Sequence, residues 1–394
     1  MRVPGRSSLW MSGAYFAFYA GIACWGPYIV LYYQRLGLSG TQLGLLNAIL
    51  PLGMAFLAPI WGYVADSKSA HRAILRAALL TTSLVALLLA GASSFWQVLP
   101  LIVILALFGT TASPLLDSYG VTVSARHGLS FGQLRVWGSI GYTATVWLIG
   151  YAMGGEVTYL FLLCYAGTLA ITALATVGLP AQGGRSSRNR WQGATGVLRR
   201  GDMRVLLLTI FLLSASTQPI FALFGIYIRE LGGGTSLLGI ASAVAAVSEF
   251  PIMFLGGKLT KRVGSRRLFV VALVFYCVRL LLYTVVPSAQ WAPAVQLLHG
   301  CSFGLYLMAS VAMIHELVGP ELAATAQGLL ASAMAFGHMT GSLASGILLD
   351  QIGIGRVYQI AAGVVALALV VFVLGMRWFG GAVGAPAAVA REEA

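Results

Sequence analysis

GYVADSKSAHR (residues 62–72) is answered 195 positions later by GKLTKRVGSRR (residues 257–267). Each stretch begins at a glycine, follows a long apolar run and is rich in basic residues. The same offset holds outside the two stretches: Tyr32 falls on Tyr227, Leu36 and Gly37 on Leu231 and Gly232, Leu43 and Gly44 on Leu238 and Gly239, and Gly62 on Gly257. Matches at one fixed offset, spread over two hundred residues, mark an internal repeat, and large repeats of this kind recur in membrane transporters.

Composition says what the repeat is made of. Hydrophobic residues make up 59% of the 394, charged residues only 9%, and the mean hydropathy is +0.87, whereas a soluble domain carries about 25% charged residues. A membrane span needs about 20 mainly apolar residues. Twelve are expected, over 9–34, 41–65, 73–93, 96–121, 132–154, 157–179, 203–228, 236–257, 268–287, 291–314, 322–348 and 354–378. Between the sixth and seventh runs PAQGGRSSRNRWQGATGVLRRGD (180–202) has no apolar period and reads as a linker. The expected organisation is an all-α integral membrane protein with a six-helix bundle over 1–179, a cytoplasmic linker over 180–202, a second bundle over 203–379 and a cytoplasmic tail over 380–394. An even number of spans per half makes the repeat parallel.

Cytoplasmic connections retain Lys and Arg. Of the 24 basic residues, three (Arg35, Arg229, Arg356) fall on one side, two (Arg135, Arg279) fall inside spans, and nineteen fall on the side of the two chain ends. Both termini are therefore expected in the cytoplasm, with the protein in the cell (inner) membrane. The net charge of +13 is then a topology signal and a contact with anionic lipid, and not a nucleic-acid footprint, because no soluble basic domain exists to dock on a duplex. Cys24, Cys164, Cys277 and Cys301 all lie in spans without a CxxC or His/Cys pattern, so neither metal nor cofactor is expected. The first apolar run is too long for a signal-peptide core and reads as an uncleaved span.

Charges inside spans cost at least about 2.5–3.5 kcal/mol each near the centre and are expected to face the bundle interior with partners. Four qualify: Asp117, Arg135, Glu249 and Arg279. At 1.5 Å per residue Glu249 lies about 20 Å from the outer face, Arg279 about 17 Å from the inner face and His299 about 12 Å from the outer face, all approaching the midplane where transporter sites lie. Arg135 opens the pattern R-x-W-G-x-x-G-Y with Trp137, Gly138, Gly141 and Tyr142. That pattern gives a close-packed helix presenting one charge and one ring; snorkelling of Arg135 to lipid headgroups is the alternative. His338 reads as a histidine bonded between helices. The span 1 aromatics Tyr15, Phe16, Phe18, Tyr19 and Trp25 fit a solute path and plain packing equally.

The two quoted loops resemble the loop signature of the major facilitator superfamily. Gly62 and Asp66 match its first half, while Gly257, Arg262 and Gly264 match the second copy, in which Lys261 replaces the acid. The resemblance implies that these loops clasp the halves at the cytoplasmic face. Over all twelve spans the chain resembles the lactose permease and phenylpropionate permease branch. There an acid stands eighteen residues before an arginine, followed by G-x-x-G and a ring, as Asp117, Arg135 and Tyr142 do here; Glu249, Arg279 and, twenty residues on, His299 match the branch's C-terminal half. The resemblance implies solute contact by Asp117, Arg135, Tyr142, Glu249 and His299, and proton coupling through Glu249, Arg279 and His299. One departure is plain: the branch's proton-carrying glutamate is Ser302 here, and a serine has no pKa in reach.

The expected function is secondary transport by alternating access, as proton-coupled symport of a small polar solute, a sugar or nucleoside. Transport of aromatic carboxylates, uncoupled facilitation, efflux antiport and a non-transporting receptor of the same fold are the alternatives. An enzyme is not expected, since no HExxH, GxSxG or GxxxxGK[ST] occurs. The expected partners are the solute, protons and the bilayer, and the protein is expected to be a monomer.

Overall fold

The computed structural model describes residues 6–180 and 193–380. Residues 181–192 of the expected linker, the tail beyond 380 and residues 1–5 lie outside the described residues.

Among the described residues the fold is entirely helical: α1 (Arg6–Trp25), α2 (Ile29–Arg35), α3 (Gly40–Ser67), α4 (His71–Leu89), α5 (Phe95–Gly109), α6 (Ala112–His127), α7 (Phe131–Ala152), α8 (Leu160–Ala175), α9 (Ala194–Arg199), α10 (Gly201–Ala222), α11 (Phe224–Glu230), α12 (Thr235–Val263), α13 (Ser265–Val285), α14 (Ala292–Gln296) and α15 (Leu305–Gly380). Ten stretches are long and apolar enough to cross a membrane. One of them, Glu321–Phe379, covers 59 residues and breaks at Gly353 (φ 76°), so it holds two spans; α7, with Arg135 near its start, is a further helix of 22 residues. The twelve helices form two six-helix bundles. Their outer surface is apolar, with Phe254 and Trp378 each 84% exposed, as lipid rather than water requires.

The repeat is visible in the elements themselves. An offset of 195 carries Ile29–Arg35 onto Phe224–Glu230, both being short helices that end a kinked span. It also explains the repeated tyrosines. Tyr32 donates its buried hydroxyl to the carbonyl of Leu89 at 2.6 Å, and Tyr227 donates to that of Tyr283 at 2.8 Å. In each half the phenol supplies a donor to an end-of-helix carbonyl that has no intrahelical partner.

The halves meet at the face opposite the linker. There Gly44 of α3 lies against Gly346 of α15, where an added Cβ would stand 3.0 Å from the facing Cα, and Gly239 of α12 lies against Gly150 of α7, at 3.3 Å. Small residues let helix backbones approach this closely. Asp350 crosses between halves to cap α3, its carboxylate accepting from the Gly40 amide (2.6 Å), the Thr41 amide (2.7 Å) and the Thr41 hydroxyl (2.8 Å). The α3 amides that would otherwise be orphaned are thus met by the other half, while Ser39 caps the amide of Gln42. On the second seam the Thr235 amide donates to the Gly155 carbonyl at 3.0 Å, and Arg229 pairs with Glu156 at 3.4 Å.

The loop glycines expected to bring helices together do not do so in this form. At Gly62 and Gly257 an added side chain would meet nothing within 4 Å, because the halves are in contact at the other face. Asp66 accepts from His71 Nε2 at 2.9 Å, within its own half. Gly264 makes the turn between α12 and α13 at φ 88°, a conformation that needs glycine, and Arg262 is exposed.

Candidate functional site

Asp117 on α6 and Arg135 on α7 stand together, with Arg135 Nε 3.9 Å from Asp117 Oδ1. Both side chains are partly open, at 39% and 31% exposure. Their neighbours identify the side they open to. Tyr15 of α1 donates its hydroxyl to Asp117 Oδ1 at 2.9 Å, and the ring of Tyr19, also on α1, lies 3.7 Å from the Arg135 guanidinium carbon. The span containing α1 is 67% buried, so residues that face it are turned into the molecule and away from lipid. Snorkelling does not describe this arginine. Gly138 permits the arrangement, since a Cβ there would stand 2.6 Å from Tyr19 Cδ2 and 3.0 Å from Arg135 Nη1.

Glu249, Arg279 and His299 form one chain in the other half, with Arg279 and His299 buried and Glu249 partly open. Arg279, 1% exposed, donates from Nη1 to His299 Nδ1 at 2.8 Å, and His299 Nε2 lies 2.8 Å from Glu249 Oε1. A guanidinium only donates, so Nδ1 is the accepting nitrogen. The proton of a neutral ring is therefore on Nε2, and it is donated to Glu249. Gln296 accepts from Arg279 Nη2, and Ser302 Oγ lies 3.4 Å from Nη1 while donating to the Leu298 carbonyl at 2.9 Å. Ser302 is thus a neutral partner of the arginine at the position of the absent carboxylate.

The local fold that joins this chain is a π-helical segment, Gly300–Gly304, directly after His299. Such widenings of a helix occur often at functional sites. The backbone of Ser248 occupies the place of a Cβ at Gly300, and the Gly300 amide donates to Ser248 Oγ at 2.9 Å. Glu249 is thereby carried alongside His299. Phe303 stacks on the His299 ring at 5.1 Å and 11°, with Phe221 edge-on to both.

Tyr142 stands on α7, the helix of the first half that packs against α12 of the second, which carries Glu249. Gln296 and the tyrosines of α1 were not singled out by motif. For Gln296 the available signal was its place one helical turn before His299, and for Tyr15 and Tyr19 their spacing of one turn.

A long helical chain in two bundles, with partnered charges buried inside its spans, is the build of a membrane transporter. A family model described as "MFS_1 like family" matches residues 8–360, and the chain belongs to this family of the major facilitator superfamily. It is a multi-pass membrane transporter and not an enzyme. It is 29% identical over 350 residues to the maltose permease of Geobacillus stearothermophilus, covering 87% of this chain and 88% of that one. To the probable 3-phenylpropionic acid transporter of Escherichia coli (strain K12) it is 24% identical, covering 90% and 95%. The crystal structure of the nucleoside transporter NupG superposes with a TM-score of 0.84 at 18% identity, covering 94% of this chain and 99% of that one.

Proposed function

We propose that the protein is a proton-coupled symporter of a small hydroxylated solute, a sugar or nucleoside, working by alternating access in the cell membrane with both termini cytoplasmic. The observation that carries this reading is the partly exposed Asp117–Arg135 pair on the interior side of α6 and α7. Carboxylate and guanidinium side by side offer an acceptor and donors at once, which is what a hydroxyl needs. The Tyr142 ring supplies a surface for a sugar or base ring. A relative named for maltose supports the sugar reading, and a solved structure titled as a nucleoside transporter shares the fold.

In this proposal Glu249 takes the coupling proton. It is the one carboxylate in the chain with Arg279 and His299, and protonation would weaken its bond to His299 Nε2 beside the α7–α12 contact, linking proton occupancy to the contact between halves. With the linker cytoplasmic in this proposal, the contacts at the opposite face correspond to an inward-open form, closed on the outer side by close glycine contacts and the Asp350 cap. Asp117, Arg135, Tyr142, Glu249 and His299 would then meet solute from the cytoplasm, and Gly62, Asp66, Gly257, Arg262 and Gly264 would come together only when the inner face closes. Ser302 favours a second reading, uncoupled facilitation.

The test is uptake into proteoliposomes of maltose, uridine and 3-phenylpropionate under an imposed inward proton gradient, with thermal stabilisation of the purified protein by each compound read in parallel. Accumulation above equilibrium of a hydroxylated solute is expected. Equilibration without accumulation would make the protein a facilitator, and selective uptake of the aromatic acid would overturn the solute assignment.

A further inference from the structure

The Asp117–Arg135 pair is incomplete as a salt bridge. A closed carboxylate–guanidinium pair has N–O distances of about 2.7–2.9 Å and is often bidentate; here the shortest approach is 3.9 Å, by Nε alone. Among the described residues no hydrogen bond engages the guanidinium, and Asp117 Oδ2 has no partner. Two opposite charges this near attract one another, though less strongly where water reaches them as it does here, and the two side chains packed on them supply a restraint against closure.

Both restraints come from α1. Tyr15, fully buried, donates to Oδ1, the carboxylate oxygen nearest Arg135. Its hydroxyl sits where a Cβ at Gly120 would stand, so the phenol is seated by the shape of α6 and cannot swing aside. Tyr19 lies under the guanidinium at 3.7 Å, fixing the plane of the fork by a cation–π contact, with its own hydroxyl 3.5 Å from Ser113 Oγ. Gly138 gives that ring its space against α7. The two rings are 6.4 Å apart and one helical turn from each other, so one face of α1 addresses both charges.

We infer that Tyr15 and Tyr19 are positioning residues that keep the Asp117–Arg135 bridge from closing, so that Asp117 Oδ2 and the outer N–H edge of Arg135 stay available to a neutral hydroxylated solute. The solute class rests on the function proposed above; the positioning of the pair does not. A hydroxyl can donate to Oδ2 while accepting from the guanidinium edge. A solute carboxylate would gain the arginine but meet the charge of Asp117 beside it, so the pair held open discriminates between neutral and anionic solutes, which a lone arginine would not.

The test reads Arg135 directly, without any solute. Phenylglyoxal adds to accessible guanidinium groups, and modification at each arginine is measured by peptide mass in the intact protein in nanodiscs. Arg135 is expected to react and Arg279, 1% exposed, to stay unmodified. In Tyr15→Phe the freed carboxylate turns to Arg135, and its modification rate is expected to fall at least fivefold; Tyr19→Leu is expected to change the rate as the fork loses its plane, while Tyr19→Phe, which keeps the ring, retains the wild-type rate. Unchanged Arg135 reactivity in Tyr15→Phe and Tyr19→Leu would overturn the inference and leave the tyrosines as packing. The second arm measures protection of Arg135 by maltose, uridine and 3-phenylpropionate. Protection by a neutral compound that weakens tenfold in Tyr15→Phe, with no loss of thermal stability, supports the selectivity; protection by the aromatic acid alone would overturn it while the reactivity arm still reports on positioning.

Discussion

Replacing Asp350 by alanine tests what closes the face opposite the linker. The carboxylate makes three hydrogen bonds across the seam, two of them to the first amides of α3. Loss of an N-terminal cap costs about 0.5–2 kcal/mol, and a carboxylate at a helix N-terminus contributes about 0.3–1 kcal/mol more. Asp350 is largely exposed, so solvent screening reduces the second figure, and about 1–2 kcal/mol remains. Because the contact exists only while the halves touch there, this energy enters the conformational equilibrium, as a shift of about 5–30-fold toward the form open at that face. The assay places a cysteine at Ser342, 1% exposed at the α3–α15 seam, in a protein lacking Cys24, Cys164, Cys277 and Cys301, and follows its labelling by an impermeant maleimide applied from that side. Asp350→Ala should label about 5–30 times faster. The pH dependence has a definite sign. Burial raises the Asp350 carboxyl, but hydrogen bonds from the Thr41 hydroxyl and the Thr41 and Gly40 amides outweigh it and hold the group below the ordinary carboxylate value. A depressed value in the closed form means that the contact is fully present above the open-form value of about 3.9 and is lost as pH falls through the closed-form value. The labelling rate of Asp350→Ala relative to the parent, a ratio in which the loss of thiolate with falling pH cancels, should therefore be constant between about pH 7 and 5 and fall toward one below about 4. Equal labelling of parent and Asp350→Ala at pH 7 would refute the reasoning.

Arg135→Ala should express and fold normally, since no hydrogen bond of the described structure depends on this side chain, yet lose at least about 99% of transport, as removal of a charge-assisted contact of about 3 kcal/mol implies; a fully active variant returns Arg135 to a surface role. Glu249→Gln should abolish gradient-driven accumulation while leaving solute exchange, read as counterflow in proteoliposomes; continued accumulation would move the proton to Asp117. Gly346→Val should open the same seam as Asp350→Ala, because a Cβ there would stand 2.7 Å from the Gly44 Cα, and the Ser342 cysteine reports it at neutral pH; an unaltered labelling rate would mean that the helices slide without cost.

Spans and repeat were legible because they rest on composition and offset, which act over tens of residues. Tyr32 and Tyr227 could be paired by the offset alone, and the structure gives each a carbonyl near a helix end, of Leu89 and of Tyr283, one position out of register with the offset. Glu249, Arg279 and His299 stood out as rare charges and a histidine in apolar runs, and the structure joins them directly. Asp350 did not stand out. It lies at a helix end, where acids are common, and its partners are 309 and 310 residues away, with no period to announce them. The seating of Tyr15 and Tyr19 was illegible for a related reason: aromatic residues on an inner helix look alike in sequence, and only the gaps left at Gly120 and Gly138 determine which rings reach a charge. Gly62 and Gly257 show the opposite case, a repeat plain in sequence whose close contacts this form does not use.

The two seams that shut the molecule are copies of one another that have diverged. The offset of 195 that relates the halves carries Gly40 onto Thr235 and Asp350 onto Gly155, and at both places a residue late in one half receives the first amide of a helix in the other. On the first seam the receiver is a carboxylate; on the second it is a peptide oxygen. A hydrogen bond to a neutral peptide carbonyl changes little with salt, whereas the charge of a carboxylate facing water is screened over a Debye length of about 10 Å at 0.1 M salt. Duplication thus left one helix start fastened by a charge and its counterpart by a neutral peptide, the charge on the second seam standing instead in the exposed Arg229–Glu156 pair, so salt reaches the two sides of a nearly symmetric machine through different contacts.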